Sequence, residues 1–222
     1  MRSCLIDLAG VTYRVCSAYS EEEPTAKEDR CVIIYPCEHA DFALSSVGGV
    51  PLCVGEMLAA AVAFLALHRH LPECELAFKV GGDIFETEIF DTRRGMITLG
   101  HLNCKQLFTE KAMLGDGTEH RLTTLASTVG RVRAIRAENI GSFDRSVLAR
   151  LLVCSGLPDC TAAVVYDSDG RFFAYPEGER LTCLAALLSL GDVEKIPLSE
   201  GAAYRCSSGV CIPARIISCD LS

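Results

Sequence analysis

Cys53 stands at the mouth of a long apolar run. The stretch from Ser45 to Pro72 reads SSVGGVPLCVGEMLAAAVAFLALHRHLP, with Gly48, Gly49 and Gly55 around the thiol and a helix-forming segment behind it. The free N–H groups at a helix N-terminus carry partial positive charge, which favours thiolate over thiol. A thiolate so placed is a nucleophile or a proton acceptor, and it should alkylate ahead of other cysteines. The competing reading is a small apolar filler, the usual role of a buried cysteine. Glu56 falls in the first turn, where an acid stabilises the helix. Cys183 lies in a second apolar run, RLTCLAALLSL, with no glycine nearby. Its residues favour a packed side chain.

Other chemistry-bearing residues form no convincing cluster. The chain has thirteen cysteines and no C-x-x-C, and the one close Cys/His pair is Cys37-x-His39. His39, His68, His70, His101 and His120 are scattered. No metal site is assigned, and most cysteines are expected to be buried and reduced. The formal net charge of −8 argues against a nucleic-acid partner. The densest basic run, Arg131, Arg133 and Arg136, reads as the exposed face of a strand. No run of about 18 apolar residues suggests a membrane span, and no secretory signal is apparent. The expected location is cytoplasmic.

These residues need elements to hold them. Leu5 to Tyr19 reads as strand broken at Gly10, and Ser20 to Arg30 as a charged loop. Cys31 to Tyr35 and Asp41 to Ser46 read as short strands. Gly48, Gly49 and Pro51 lead into a helix that stops before Pro72. Strands follow at Leu76 to Val80, Ile84 to Phe90 and Met96 to Leu99, turned by Gly81-Gly82 and Arg94-Gly95. Cys104 to Thr118 carries no clear pattern, and His120 to Glu138 reads as strand. Asp144 to Cys154 has helical spacing with Ser142 or Asp144 as cap. Thr161 to Tyr166 and Arg171 to Tyr175 read as a hairpin around Asp167 to Gly170. A helix spans Glu179 to Leu190 and ends at Gly191. Ala202 to Val210 and Ile212 to Ile217 read as closing strands.

The order repeats. Cys53 and Cys183 lie 130 positions apart. The same shift lays CVIIY (31–35) on TAAVV (161–165) and DFALS (41–45) on RFFAY (171–175). Strand, turn, strand, cysteine, apolar helix and Gly-led strand occur twice. Both helices lack a polar face and must be enclosed. The expected fold is α/β of the α+β type: two pseudo-symmetric lobes, residues 1–118 and 119–222, with a cleft between them. Each is a curled, mostly antiparallel sheet around one apolar helix.

This order of elements, with a cysteine leading each apolar helix, resembles the diaminopimelate epimerase-like superfamily, which includes proline racemases and phenazine-biosynthesis isomerase-like proteins. The resemblance covers nearly the whole chain. It is carried best by CVIIYPCEHADFALSSVGGVPLCVGEMLAAAVAFL and the strand after Gly81-Gly82. It implies a cofactor-independent isomerase acting at the α-carbon of an amino acid or related carboxylate. Cys53 and Cys183 would be the two proton-transfer groups, one on each face of the carbon. The amides of Val54, Gly55 and Glu56, and of Leu184 and Ala185, would hold the substrate carboxylate. The last strand would cross back to the first lobe. A small-molecule substrate is the implied partner, no cofactor is implied, and a homodimer is left open.

The sequence also departs from the family. Val54-Gly55-Glu56 stands where a Gly-Asn-Gly-like run is usual, and Leu184-Ala185-Ala186 where Gly-Thr-Gly-like residues are usual. Gly10-Val11-Thr12-Tyr13 replaces a Gly-Asn-Asp-Phe-like signature, and Thr161-Ala162 a Thr-Asn. These changes support an alternative: a catalytically degenerate relative acting as a small-molecule binding or non-enzymatic protein.

Overall fold

The computed structural model describes residues 3–17, 31–47, 52–68, 74–89, 96–99, 105–114, 117–127, 130–153, 160–199, 201–206 and 209–220. The charged loop from Ser20 to Arg30, the Gly48-Gly49-Pro51 lead-in, the Pro72 stop, the Arg94-Gly95 turn, His70, His101 and Cys154 lie outside the described residues. The elements in chain order are β1 (Ser3–Leu8), β2 (Val11–Ser17), β3 (Cys31–Tyr35), β4 (Phe42–Ser46), α1 (Val54–His68), β5 (Cys74–Val80), β6 (Asp83–Ile89), β7 (Met96–Leu99), β8 (Lys105–Met113), β9 (Glu119–Ser127), β10 (Gly130–Arg136), α2 (Arg145–Val153), β11 (Cys160–Tyr166), β12 (Phe172–Tyr175), α3 (Arg180–Leu190), β13 (Lys195–Leu198), β14 (Gly201–Cys206) and β15 (Gly209–Asp220). The chain divides into two compact units. One comprises residues 1–101, 198–201 and 211–222, the other residues 102–197 and 202–210.

In the first unit, β1 to β7 are neighbours in chain order, and β15 pairs with both β7 and β1. The sheet therefore closes on itself. The β2–β3 and β4–β5 pairs are parallel, while β1–β2, β3–β4, β5–β6 and β1–β15 are antiparallel. Alternation explains what faces inward. Cys4, Ile6 and Leu8 of β1 are buried, as are Tyr13 and Val15 of β2. Inside lies α1, whose Met57, Leu58, Ala59, Ala60, Ala61, Val62, Ala63 and Leu65 are buried around its whole circumference. A helix apolar on every side is stable only when enclosed, and the closed sheet supplies the walls. Phe42, Phe78 and Phe85 are cross-strand partners on β4, β5 and β6. Their rings stack at 5.5 and 5.9 Å, and Phe64 of α1 stacks on Phe42 at 4.6 Å. Cys4 and Cys219, opposite each other on β1 and β15, form a disulfide; the other cysteines described, among them the buried Cys16, Cys31, Cys53, Cys183 and Cys211, are in none, in line with the expectation that most are reduced.

In the second unit a five-stranded sheet runs β12-β11-β10-β9-β8. Only β10–β11 is parallel. Leu148 and Leu151 of α2 pack with Leu122, Ile135, Ala163 and Val165. Val132, Ala134, Ala162 and Val164 alternate to the opposite side and are also buried, and α3 packs on β10, β11 and β12. Buried residues from Leu181 to Leu188 make α3 apolar all round. Gly191 ends it in the left-handed conformation, φ 78°, which glycine adopts without a Cβ penalty. Asp144 caps α2, accepting from Val147 N and Ser146 Oγ.

Three sequence expectations change. Cys104 to Thr118, left without a pattern, contributes β8. His120 to Glu138, read as one strand, is β9 and β10, which form an antiparallel pair. Arg133 does not belong to an exposed face: it is 0 % exposed. It shares the α2 side of the sheet with Ile135, and its Nη1 donates to the Leu151 carbonyl near the end of α2. Its Nε and Nη2 have no partner among the described residues. No helix among the described residues is long and apolar enough to cross a membrane.

Candidate functional site

Cys53 is the N-cap of α1. Its carbonyl accepts the first helical bond, from Met57 N at 3.2 Å, and α1 begins at Val54. Glu56, the third helical residue, reaches back and accepts from Cys53 N at 2.8 Å. This is the acidic half of a capping box. The first helical amides, those of Val54, Gly55 and Glu56, have no carbonyl one turn back inside the helix to bond. Val54 and Gly55 are themselves buried. Cys53 is a buried residue, 9 % exposed. The helix mouth thus carries a cysteine, a row of N–H groups and a carboxylate already committed to the Cys53 amide.

Cys183 is placed differently. A short 3-10 turn, Glu177–Glu179, runs straight into α3, which starts at Arg180. Cys183 is therefore one turn inside the helix rather than at its start. The N-terminal amides of α3 belong to Arg180, Leu181 and Thr182. Leu184 and Ala185 lie in the second turn, where amides are consumed by the i→i−4 ladder, and both are buried. That geometry does not suit the carboxylate-holding role expected of them. The Cys183 thiol is 0 % exposed and donates to the Ala163 carbonyl at 3.8 Å. Burial pushes it far above the ordinary thiol range, and the Glu179 carboxylate adds to the rise. It is held as a neutral thiol. Near the start of α3, Glu179 accepts from Thr182 Oγ1 at 2.6 Å, and the Arg180 guanidinium lies 4.5 Å from the Phe172 ring centroid.

The repeat shift matched the two cysteines in sequence but could not fix where each helix begins. The helix read from Glu179 to Leu190 already put Cys183 about one turn in, with acids at 177 and 179 marking the start; only the repeat shift and the resemblance set it at the helix mouth. The sequence Cys53-x-x-Glu56 likewise carries the spacing of a capping box, with cysteine in place of serine or threonine. Among the described residues no group of three or more His, Cys, Asp or Glu is gathered so as to hold a metal ion.

No model of a known protein family matches the chain, and no curated protein matches it. Solved structures do. A predicted epimerase from Pseudomonas aeruginosa superposes with a TM-score of 0.66 at 13 % identity, covering 99 % of this chain and 98 % of that one. A phenazine biosynthesis protein of the PhzF family from Enterococcus faecalis gives 0.54 at 12 % identity, covering 98 % of each chain. A phenazine biosynthesis PhzC/PhzF protein from Clostridium difficile gives 0.55 at 10 % identity, covering 99 % and 98 %. The chain has the diaminopimelate epimerase-like fold. At these identities the likeness fixes architecture, and the chemistry has to be argued from the residues.

Proposed function

We propose that the chain is a cofactor-independent isomerase that moves a proton at the carbon next to the carboxylate of a small molecule, an amino acid or a close relative. The N-terminus of α1 is its acid–base centre. The observation that carries this reading is the hydrogen bond from Cys53 N to Glu56. It fixes the backbone of a cysteine at a helix start, where the N-terminal amides of α1 and a thiol lie together. Those amides stabilise negative charge as a carbanion or enolate develops. Cys53 takes and returns the proton. Glu56 positions Cys53, and its charge opposes a substrate carboxylate at the same mouth.

The two-cysteine form of this chemistry needs Cys183 to ionise or to be uncovered. Its burial and its bond to the Ala163 carbonyl oppose both. In our reading Cys183 packs α3, so Cys53 works one face of the carbon and the proton on the opposite face is delivered by solvent. Exchange of the α-proton on the Cys53 face then outruns inversion.

Incubation of an amino-acid panel in D2O, followed by mass spectrometry and chiral chromatography, tests this. Deuterium should enter without matching inversion. Cys53→Ala should abolish exchange, and Cys183→Ala should retain it. Glu56→Gln keeps an acceptor for Cys53 N and removes a charge, so KM for an anionic substrate should fall. Loss of exchange in a folded Cys183→Ala variant would restore the two-cysteine scheme. Absence of exchange across the panel would favour a small-molecule binding protein without catalysis, a reading to which the carboxylate at the α1 mouth already lends support. The cytoplasmic location expected from the sequence has the Cys4–Cys219 disulfide against it, since such bonds persist chiefly in oxidising compartments. Homodimer formation is testable by light scattering.

A further inference from the structure

A second pair of sulfurs in the first unit lies outside the chemistry just described. Cys16 is on β2 and Cys31 opens β3, and their Sγ atoms are 3.6 Å apart. The two strands are parallel, with Arg14 opposite Cys31 and Cys16 opposite Ile33. The cysteines are thus diagonal neighbours. Val15 and Val32, their chain neighbours, are 0 % exposed on the alternate side, and α1 packs against both strands. Cys16 and Cys31 are themselves 1 % and 4 % exposed, so they lie on the outward side of this wall yet are covered. Neither is in a disulfide. A bond between them requires the sulfurs to close to about 2.0 Å, which for diagonal neighbours needs a shift of the strand backbone.

We propose that Cys16 and Cys31 form a reversible dithiol–disulfide pair that locks β2 to β3. This goes beyond the isomerase reading and does not depend on it. The oxidant is a low-molecular-weight disulfide. Local opening of this wall uncovers one thiol, which loses its proton and attacks that disulfide, releasing one small thiol and leaving a mixed disulfide. The second thiol, deprotonated in turn, attacks the protein sulfur of the mixed disulfide and releases the second small thiol. Two protein thiols are oxidised and one small disulfide is reduced to two thiols. Cys4, on β1 beside β2, is already oxidised to Cys219, so thiol oxidation is compatible with this unit's fold. The Cys4–Cys219 bond joins the first and last strands, while the proposed one joins the strands that lead toward the Cys53 helix.

The full chain, equilibrated with oxidised and reduced glutathione at graded ratios, acid-quenched and alkylated, gives the test. Cleavage after Arg14, Lys27 and Arg30 places the two cysteines on separate peptides, mapped without reduction; the second runs to Arg69 and also carries Cys37 and Cys53, so fragmentation of the linked pair assigns the bonded sulfur. The expected result is a Cys16–Cys31 linked pair, two hydrogens lighter than the separate thiol peptides, that grows with the oxidised fraction. It should disappear on return to excess reduced glutathione while Cys4–Cys219 persists, and Cys16→Ala should abolish it. No linked pair at any ratio, or linkage of Cys16 or Cys31 to some other cysteine, would overturn the proposal.

Discussion

Reduction of the Cys4–Cys219 disulfide should cost this protein a large part of its stability. The bond closes a loop of 215 residues, nearly the whole chain. Chain-entropy theory assigns a loop of that size about 18 cal/mol/K of lost denatured-state entropy, or about 5 kcal/mol at room temperature. Single-domain stabilities are on the order of 5–15 kcal/mol, so the effect should be plain. The fold adds a reason for the full value to appear. β1 and β15 are the first and last strands and complete the closed sheet around α1, so the untethered denatured chain must bring its two ends together to rebuild that seam. Urea unfolding followed by circular dichroism, with and without reductant, measures it. Cys4→Ala/Cys219→Ala should match the reduced wild type and be indifferent to reductant. A change below about 1 kcal/mol would refute the entropy argument, and would mean that the denatured state already holds its ends together or that native strain cancels the gain.

Four further outcomes follow from particular residues. Phe42→Ala removes the ring at the centre of the Phe64, Phe42 and Phe78 stack and should cost about 3–5 kcal/mol by urea denaturation. Arg133→Met should be neutral or stabilising, because a fully buried guanidinium with two unpartnered donors is replaced by an apolar chain of similar length; a marked loss of stability would show that those donors are satisfied. Cys183 is held neutral in the fold while the unfolded chain ionises near the ordinary thiol value of about 8.5. Its contribution is intact below that pH and lost above it, at about 1.4 kcal/mol per pH unit, so Cys183→Ser should flatten the alkaline fall in Tm. Asp144 is lowered by its bonds to Ser146 and Val147, so its contribution is present at neutral pH and fades as pH falls through the carboxylate range; Asp144→Asn should weaken that acid dependence in thermal melts.

Much of the fold was legible because period and punctuation agreed. β3, β7 and the Gly191 stop were readable from short β-rich runs and a helix-ending glycine. The two apolar helices were recognisable as enclosed because neither carries a polar face, and the closed sheet around α1 is the physical answer to that. β8 was not legible. Its apolar residues Leu107 and Met113 point outward, 46 % and 69 % exposed, so the inward/outward alternation that marks a half-buried strand is blurred. Arg133 misled for a related reason. An arginine in an alternating strand is ordinarily on the wet side, and only the carbonyl of Leu151, 18 residues later in the chain, makes its burial intelligible. The Cys4–Cys219 bond was equally out of reach, since sequence spacing says nothing about which strands meet at the seam.

The two helix starts explain why the site was only half readable. In both halves a cysteine leads into an apolar helix, and pattern alone treats them alike. What separates them is where the first turn begins. Before Cys53 there is no acid to start the helix early, so the cap falls on Cys53 and Glu56 closes it from inside. Before Cys183, the 3-10 turn of Glu177 to Glu179 starts the helix one turn sooner, and the cysteine is carried into the core. A shift of one turn changes a thiol from a group at the N-cap to one bonded to a strand carbonyl. Proton transfer needs the first environment and is suppressed by the second. Under the proposed isomerase reading, the role open to Cys183 is therefore set by the three residues that precede Arg180.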